Sequence, residues 1–329
     1  MRSSLSPAAA ALAFASLAVC VFVPTLPPAV SHARSADESE LKPEMIGQGV
    51  VSTADDELGG NLSADGNTLI FEKSAPPHYL YILCESHFKS GKWTEPTMLP
   101  FSGQYRDTDP VLSPEGQTML FASDRPVNGV DEHHFYIWSV KRTATGWGTP
   151  EFVKGGVNDG FNQVFASMAS NGNIYFTSSR KTGAYDIFRS RLVNGVYQEA
   201  EDLGPLFNDP SIFSFEATIA PDESYLLIGS FGRQPSFGSS DLYVSYNQNG
   251  TWTKPKNLGP AINTRAREYS PRISGDGKWL LFTSERLDKP RPTTMTYSDF
   301  VHFSRGLYNG LGNLYRVPLE YVLRTTKPE

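Results

Sequence analysis

Residues 268 to 286 read Glu268-Tyr269-Ser270-Pro271-Arg272-Ile273-Ser274-Gly275-Asp276-Gly277-Lys278-Trp279-Leu280-Leu281-Phe282-Thr283-Ser284-Glu285-Arg286. A short mixed stretch runs into the turn Ser-Gly-Asp-Gly, and an apolar, aromatic stretch leaves it. Gly and Asp supply the backbone conformations a tight turn needs, and aromatic residues between such turns signal strands. The block therefore reads as a β-hairpin. Its turn recurs as SADG from Ser63, SPEG from Ser113, ASNG from Ala169 and APDE from Ala220, with successive spacings of 50, 56, 51 and 54 residues. Each copy leads into a short strand: Thr68 to Phe71, Thr118 to Phe121, Asn173 to Phe176, Tyr225 to Ile228 and Trp279 to Phe282.

A further strand follows each of these, at Tyr79 to Ile82, Phe135 to Trp138, Asp186 to Phe188, Asp241 to Val244 and Asn313 to Val317. Then come SGKWTEP, ATGWGTP, NGVYQEA and NGTWTKP, a Gly-containing turn before Trp93, Trp147, Tyr197 or Trp252. Aromatics recurring at one structural position are expected to pack between repeats. Four strands per repeat at a period near fifty residues predict an all-β β-propeller of five four-stranded blades. A sixth blade is possible only if one repeat is hidden by divergence. The fifth repeat lacks its Gly-x-Trp strand, whereas Lys42-Pro43-Glu44-Met45-Ile46-Gly47 resembles Lys254-Pro255-Lys256-Asn257-Leu258-Gly259. The N-terminal stretch is therefore expected to complete the last blade, closing the ring without an open sheet edge.

The expected organisation is a signal peptide over residues 1–33, a linker over 34–44, the propeller over 45–320 and a short basic tail over 321–329. Repeats fall at about 54–104, 105–158, 159–208, 209–263 and 264–320. The leader reading rests on Arg2 before an apolar run from Ala8 to Val23, with Ser31-His32-Ala33 as a small-x-small cleavage site. That run is shorter than a membrane span requires. Export to the periplasm or the exterior follows; a lipoprotein anchored through Cys20 is the weaker alternative, because Val19 is bulky and apolar residues continue beyond it.

Composition agrees: aromatics make up 12% of the chain, with 28 Gly and 24 Pro, and charged residues only 19%. The net charge of −6 argues against nucleic acid or an anionic membrane surface as partner. Only Cys84 would survive removal of the leader, so no intramolecular disulfide forms. His133 and His134 are adjacent and His78, His87 and His302 lie in different repeats, so neither a metal nor a cofactor is expected.

The Glu268 to Lys278 block with Phe282-Thr283-Ser284-Glu285-Arg286, and Asp107 to Gly116 with Phe121-Ala122-Ser123-Asp124-Arg125, resemble the TolB-like β-propeller repeat, a relative of WD-type repeats in secreted bacterial proteins. Repeats three and four are looser at Asn171 and Glu223, and repeat one has Lys73 and Ala75 where the Ser and Arg would fall. The resemblance implies a propeller serving as an envelope scaffold or protein-binding platform, or one attached to a peptidase. No G-x-S-x-G elbow or helical zinc motif is present to supply peptidase chemistry.

In related propellers the strand before each turn is innermost, so its first residues gather at the channel mouth. Counting six residues back from each turn gives Glu57, Asp107, Gln163, Ser214 and Glu268, and loops reaching the same face carry Arg125, Arg180, Arg233 and Arg286. These guanidinium groups are expected to fork onto carboxylates or carbonyls, or to make with the acids a polar pocket. Insertions at Pro126 to His134, Phe231 to Ser240 and Leu287 to Gly312 share that face; the last carries Tyr297, Phe300, Phe303 and Tyr308 and is expected to be a lid, an aromatic anchor for a partner, or an extra hairpin.

The function expected is thus an exported, non-catalytic binding or scaffold protein. It would act as a monomer on an envelope or extracellular protein or a small polar ligand. The alternative is a carbohydrate-active enzyme, a glycoside hydrolase or lyase, using Glu57, Asp107 and Glu268 as acid, base and orienting group.

Overall fold

A computed structural model of the chain describes residues 41–75, 79–130, 133–159, 161–181, 185–290 and 294–328. The expected leader lies outside them. Five antiparallel sheets follow one another along the sequence. Their inner strands are Asp56–Leu62, Asp107–Leu112, Gln163–Met168, Phe213–Ile219 and Glu268–Ile273. The second strands are Thr68–Ala75, Thr118–Ser123, Ile174–Ser178, Tyr225–Phe231 and Trp279–Ser284, each leaving one of the five repeated turns. The third strands are Leu80–Lys89, Tyr136–Thr143, Asp186–Ser190, Asp241–Gln248 and Asn313–Pro318. Inner strands neighbour one another in chain order and the fifth returns to the first, so the sheets are blades of a ring. The chain is a five-bladed β-propeller.

Short outer strands complete the first four blades at Thr97–Met98, Glu151–Phe152, Glu201–Asp202 and Lys256–Asn257. In the fifth, the outer strand is Glu44–Met45, with Glu44 opposite Arg316 and Met45 opposite Tyr315. Lys256–Asn257 occupies the same place on blade four, opposite Val244 and Tyr243. The likeness of the two Lys-Pro stretches was therefore a likeness of position. Ile46 N–H donates to Leu314 O at 2.8 Å, and at the turn end Gly275 N–H of blade five donates to Leu62 O of blade one at 2.8 Å. A side chain at Gly275 would run into Ala64 N at 2.7 Å, so this close approach of blades five and one requires glycine.

Burial follows from the ring. Five apolar cores lie one between each pair of neighbouring blades, and a sixth, of Leu58, Phe215 and Tyr269, lies at the axis. Phe71, Phe121, Phe176 and Phe282 repeat one second-strand position and are fully buried, each contributing about 2–3 kcal/mol. The recurring hairpin aromatics serve the same cores. Trp147 is buried between blades one and two, and Trp252 meets Phe207 edge-on at 5.8 Å. The chain does not trail away after blade five: Leu319–Thr326 forms helix α2, whose Leu319 and Val322 are buried. Thr326 Oγ1 lies 2.7 Å from Tyr246 Oη of blade four.

Every inner strand carries a register break, between Leu58 and Asn61, Thr108 and Val111, Val164 and Ser167, Ser214 and Glu216, and Tyr269 and Arg272. Four of these bulges hold a residue at positive φ: Gly59, Asp109, Phe165 and Ser270, at 60°, 55°, 51° and 48°. For a side chain as bulky as that of Phe165 such a conformation is strained and persists only where neighbours hold it.

Candidate functional site

The five positions counted six back from the turns all open or nearly open an inner strand, and all five side chains are buried. Asp107 meets Arg125 at 2.6 Å, the guanidinium lying against Phe101, Tyr105, Phe121 and Trp138. Arg286 Nη2 lies 3.5 Å from Glu268 and donates to Ile262 O at 2.7 Å. Arg233 donates to Ser214 Oγ at 3.2 Å and Leu206 O at 3.1 Å. Gln163 and Arg180 do not touch directly but share Asp159, at 2.9 and 3.1 Å. Blade one departs, since Lys73 stands in the second strand and reaches Glu57 at 3.2 Å and Asp55 at 2.8 Å.

Two of the acids are held twice over. Thr53 donates through N–H and hydroxyl to Glu57, at 2.9 and 2.6 Å, and Thr264 does the same for Glu268, both at 2.7 Å. The repeated charges thus tie each inner strand to the loop before it. Burial raises the Glu57 and Asp107 carboxyls above their usual range, against the opposing pull of Thr53 and Lys73 on one and Arg125 on the other. Burial likewise lowers Arg180, Arg233 and Arg286.

Within the 287–312 insertion, residues Tyr297–Ser304 form helix α1, begun by a capping box between Thr296 and Asp299. Aromatic content this high predicts packing, yet α1 buries no residue; Tyr297 is 83% and Phe300 53% exposed. Phe303 and Tyr308 are half-buried. Asn309 fixes the insertion, donating to Ala54 O at 2.8 Å and to Ser304 O at 3.3 Å, and Asn313 donates to Leu307 O at 2.9 Å. Ala54 also borders a cleft of about 560 Å³ with Lys73, Ile82, Cys84, Glu95 and Met98. Phe237, in the insertion of blade four, is exposed as well.

Aromatic side chains gather about the axis at the end where the inner strands begin. Phe213 stacks on Phe215 at 5.5 Å, Phe215 on Phe231 at 5.0 Å, and Phe165 meets Phe215 edge-on at 5.9 Å. Arg267 lies over Tyr269 at 4.8 Å and pairs with Glu285 at 2.9 Å. Burial pushes the Glu285 carboxyl up to about 7, against Arg267. At the turn end a cup of about 80 Å³ remains, bordered by Asn61, Val111, Ser167 and Thr218.

Between the aromatic cluster and this cup lies a charged layer that the sequence reading missed: Glu72, Asp109, Glu216 and the fully buried Arg272. One signal was available. Four residues back from the turns stand Gly59, Asp109, Phe165, Glu216 and Ser270, a place where no two repeats carry the same residue. Among the described residues no group of three or more His, Cys, Asp or Glu is arranged to hold a metal ion. No helix among them is long and apolar enough to cross a membrane.

No protein-family model and no curated protein sequence matches the chain. Solved structures similar to it include TolB from Acinetobacter baumannii, at 16% identity and TM-score 0.43 over 80% of this chain and 55% of that one. The chain thus spans about half the length of that protein. A protein assigned as TolB from Agrobacterium tumefaciens is similar at 15% identity and TM-score 0.47, over 80% of this chain and 91% of that one. A gluconolactonase from Xanthomonas campestris is similar at 11% identity and TM-score 0.42, over 90% and 99%. The fold stands on the five sheets themselves, and the repeats resemble those of TolB-like propellers.

Proposed function

We propose that the chain is an exported, non-catalytic binding or scaffold protein. Its recognition surface is the face where the inner strands begin, and its anchor is α1. The observation that carries this reading is the exposure of Tyr297 and Phe300 on a capped helix that buries none of its own residues. Exposed aromatics held on a formed element bind at low entropic cost and dominate interface energies. Export rests on the Arg2 to Ala33 leader.

An enzyme of the glycoside hydrolase kind needs two carboxyl groups roughly 5–10 Å apart around an open cleft. Glu57, Asp107 and Glu268 are instead buried, each engaged by a cation or threonine of its own blade or the loop before it. That arrangement supports the binding reading over catalysis.

The test is capture from envelope extract by the mature protein and by a Tyr297→Ala/Phe300→Ala variant. Point changes are preferred to deletion of 287–312, because Gly312 N–H donates to Asp56 at 2.8 Å and Asn309 holds Ala54. A protein held by wild type and released by the variant is the expected result. Equal capture by both would overturn α1 as the anchor, and turnover of a glycan that is lost in Glu57, Asp107 or Glu268 variants would overturn the non-catalytic reading.

A further inference from the structure

The charged layer at the axis joins blades at their strained bulges. Asp109 N–H of blade two donates to Glu72 Oε2 of blade one at 3.0 Å, and Thr108 Oγ1 donates to the same oxygen at 2.7 Å. Phe165 N–H of blade three donates to Asp109 Oδ2 at 3.3 Å. Ser270 of blade five donates its N–H and its hydroxyl to Glu216 of blade four, the latter at 2.9 Å. The remaining two bulges are held by threonines: Gly59 N–H donates to Thr283 Oγ1 at 3.2 Å, and Thr177 Oγ1 donates to Phe215 O at 2.8 Å. Each blade thus grips the bulge of the next, three times with a carboxyl group and twice with a neutral hydroxyl.

The carboxyl grips have a property that the hydroxyl grips lack. Glu72, Asp109 and Glu216 are only 3%, 6% and 1% exposed, and among the described residues none forms an ion pair. Asp56 and Tyr81 face Glu72 from blade one, and Arg106 faces Tyr81 from the loop before blade two. Asp109 faces Glu72, Tyr81, Tyr185, Glu216 and Arg272; Glu216 faces Asp109, Tyr269, Arg267 and Arg272. Arg272 itself spends its Nε on Pro110 O at 3.3 Å and its Nη1 on Pro271 O at 2.9 Å, while Nη2 has no hydrogen-bond partner. Three carboxylates this deeply buried, with a single guanidinium among them whose Nε and Nη1 are already taken by carbonyls, take up protons in preference to staying charged. Burial accordingly raises Glu72 and Asp109 well above the usual carboxylate range, and each is raised further by a neighbouring acid, Asp109 in one case and Glu216 in the other. Burial raises Glu216 too, against Arg272.

We propose that Glu72, Asp109 and Glu216 form a proton-operated clasp: carrying protons they hold neighbouring blades together at the bulges, and losing them together they repel across the axis and loosen the ring. Ionisation strengthens each single hydrogen bond. Mutual repulsion and loss of hydration outweigh that gain among three acids this deeply buried that share a single guanidinium, Arg272. The sign follows from linkage. Groups whose values rise on folding bind protons as the chain folds, so their contribution is whole below the usual carboxylate range and is lost as pH rises through the raised values. The clasp is independent of the binding reading of α1.

Chemical denaturation of the mature protein between pH 6 and 8.5 tests it, beside Glu72→Gln, Asp109→Asn and Glu216→Gln, whose amides keep an acceptor oxygen. The wild-type unfolding constant should rise at least about tenfold across that range, and each variant should rise less. A wild-type change below about twofold, or full pH dependence in all three variants, would overturn the clasp. Amide hydrogen exchange decides the matter on wild type alone if a variant does not fold. Protection at the amides of Asp109, Phe165 and Ser270, corrected for intrinsic rates, should be high at pH 6 and reduced at pH 8.5. Equal protection at both pH values contradicts the proposal.

Discussion

Two positions of one strand, two residues apart, behave oppositely. Six back from the turn the five blades carry Glu57, Asp107, Gln163, Ser214 and Glu268, every one polar and every one tied to its own blade or the loop before it. Four back they carry Gly59, Asp109, Phe165, Glu216 and Ser270, of which only the two acids are alike, and these positions meet the neighbouring blades instead. What repeats in this chain builds each blade, and what breaks the repeat on the inner strands marks where blades meet. The same contrast separates the N-terminal closing strand, a copy of blade four's outer strand, from α1, which has no counterpart among the described residues of the other blades.

The largest effect that would sharpen this contrast is loss of the closing strand. Removing residues 41–47 takes away the Glu44–Met45 pairing and buried Ile46, and should lower stability by about 5 kcal/mol or more in thermal melts. A protein that melts unchanged would break the account of ring closure. Next in size is Asp107→Ala, which leaves Arg125 buried without its carboxylate and should cost about 3–5 kcal/mol, whereas Gln163→Ala, removing an uncharged amide that donates to Asp159 and Ser178, should cost about 1–2. Equal costs at the two positions would mean that the Arg–carboxylate pairs add nothing beyond packing.

Smaller again is the contribution of Glu285. Its carboxyl rises from 4.5 to about 7 on folding, so the stability it lends is whole below 4.5 and is lost as pH passes through about 7. Glu285→Gln should flatten that stretch of the pH–stability curve, and an unchanged curve would contradict the assignment. The smallest structural effect belongs to Tyr297→Ala/Phe300→Ala, expected within about 0.5 kcal/mol of wild type because neither ring is buried.

Turns and second strands were legible because hairpin chemistry is local: Ser274-Gly275-Asp276-Gly277 and its four relatives each fix a turn with little help from the rest of the chain. Ring closure was legible because Lys42 to Gly47 copies a stretch with a known neighbour. The acids at the axis were not, since the bulge inserts residues into the inner strand and a count by alternation then assigns Asp109 and Glu216 to no definite face. Helix α1 was not expected within an insertion read as a lid, an aromatic anchor or an extra hairpin, although Thr296 and Asp299 spell a capping box, because eight residues between strands carry too little periodicity to outvote their surroundings. Helix α2 was read as a tail for the same reason, its buried Leu319 and Val322 acquiring meaning only beside Tyr246.

The most direct measurement is site-specific photo-crosslinking in envelope extract. One probe replaces Phe300 on α1, and another replaces Val196, an equally exposed residue on the peripheral hairpin of blade three. A discrete adduct from position 300 that is absent from position 196 is the predicted result. An adduct from position 196 with none from position 300 would contradict the assignment of α1 as the recognition element.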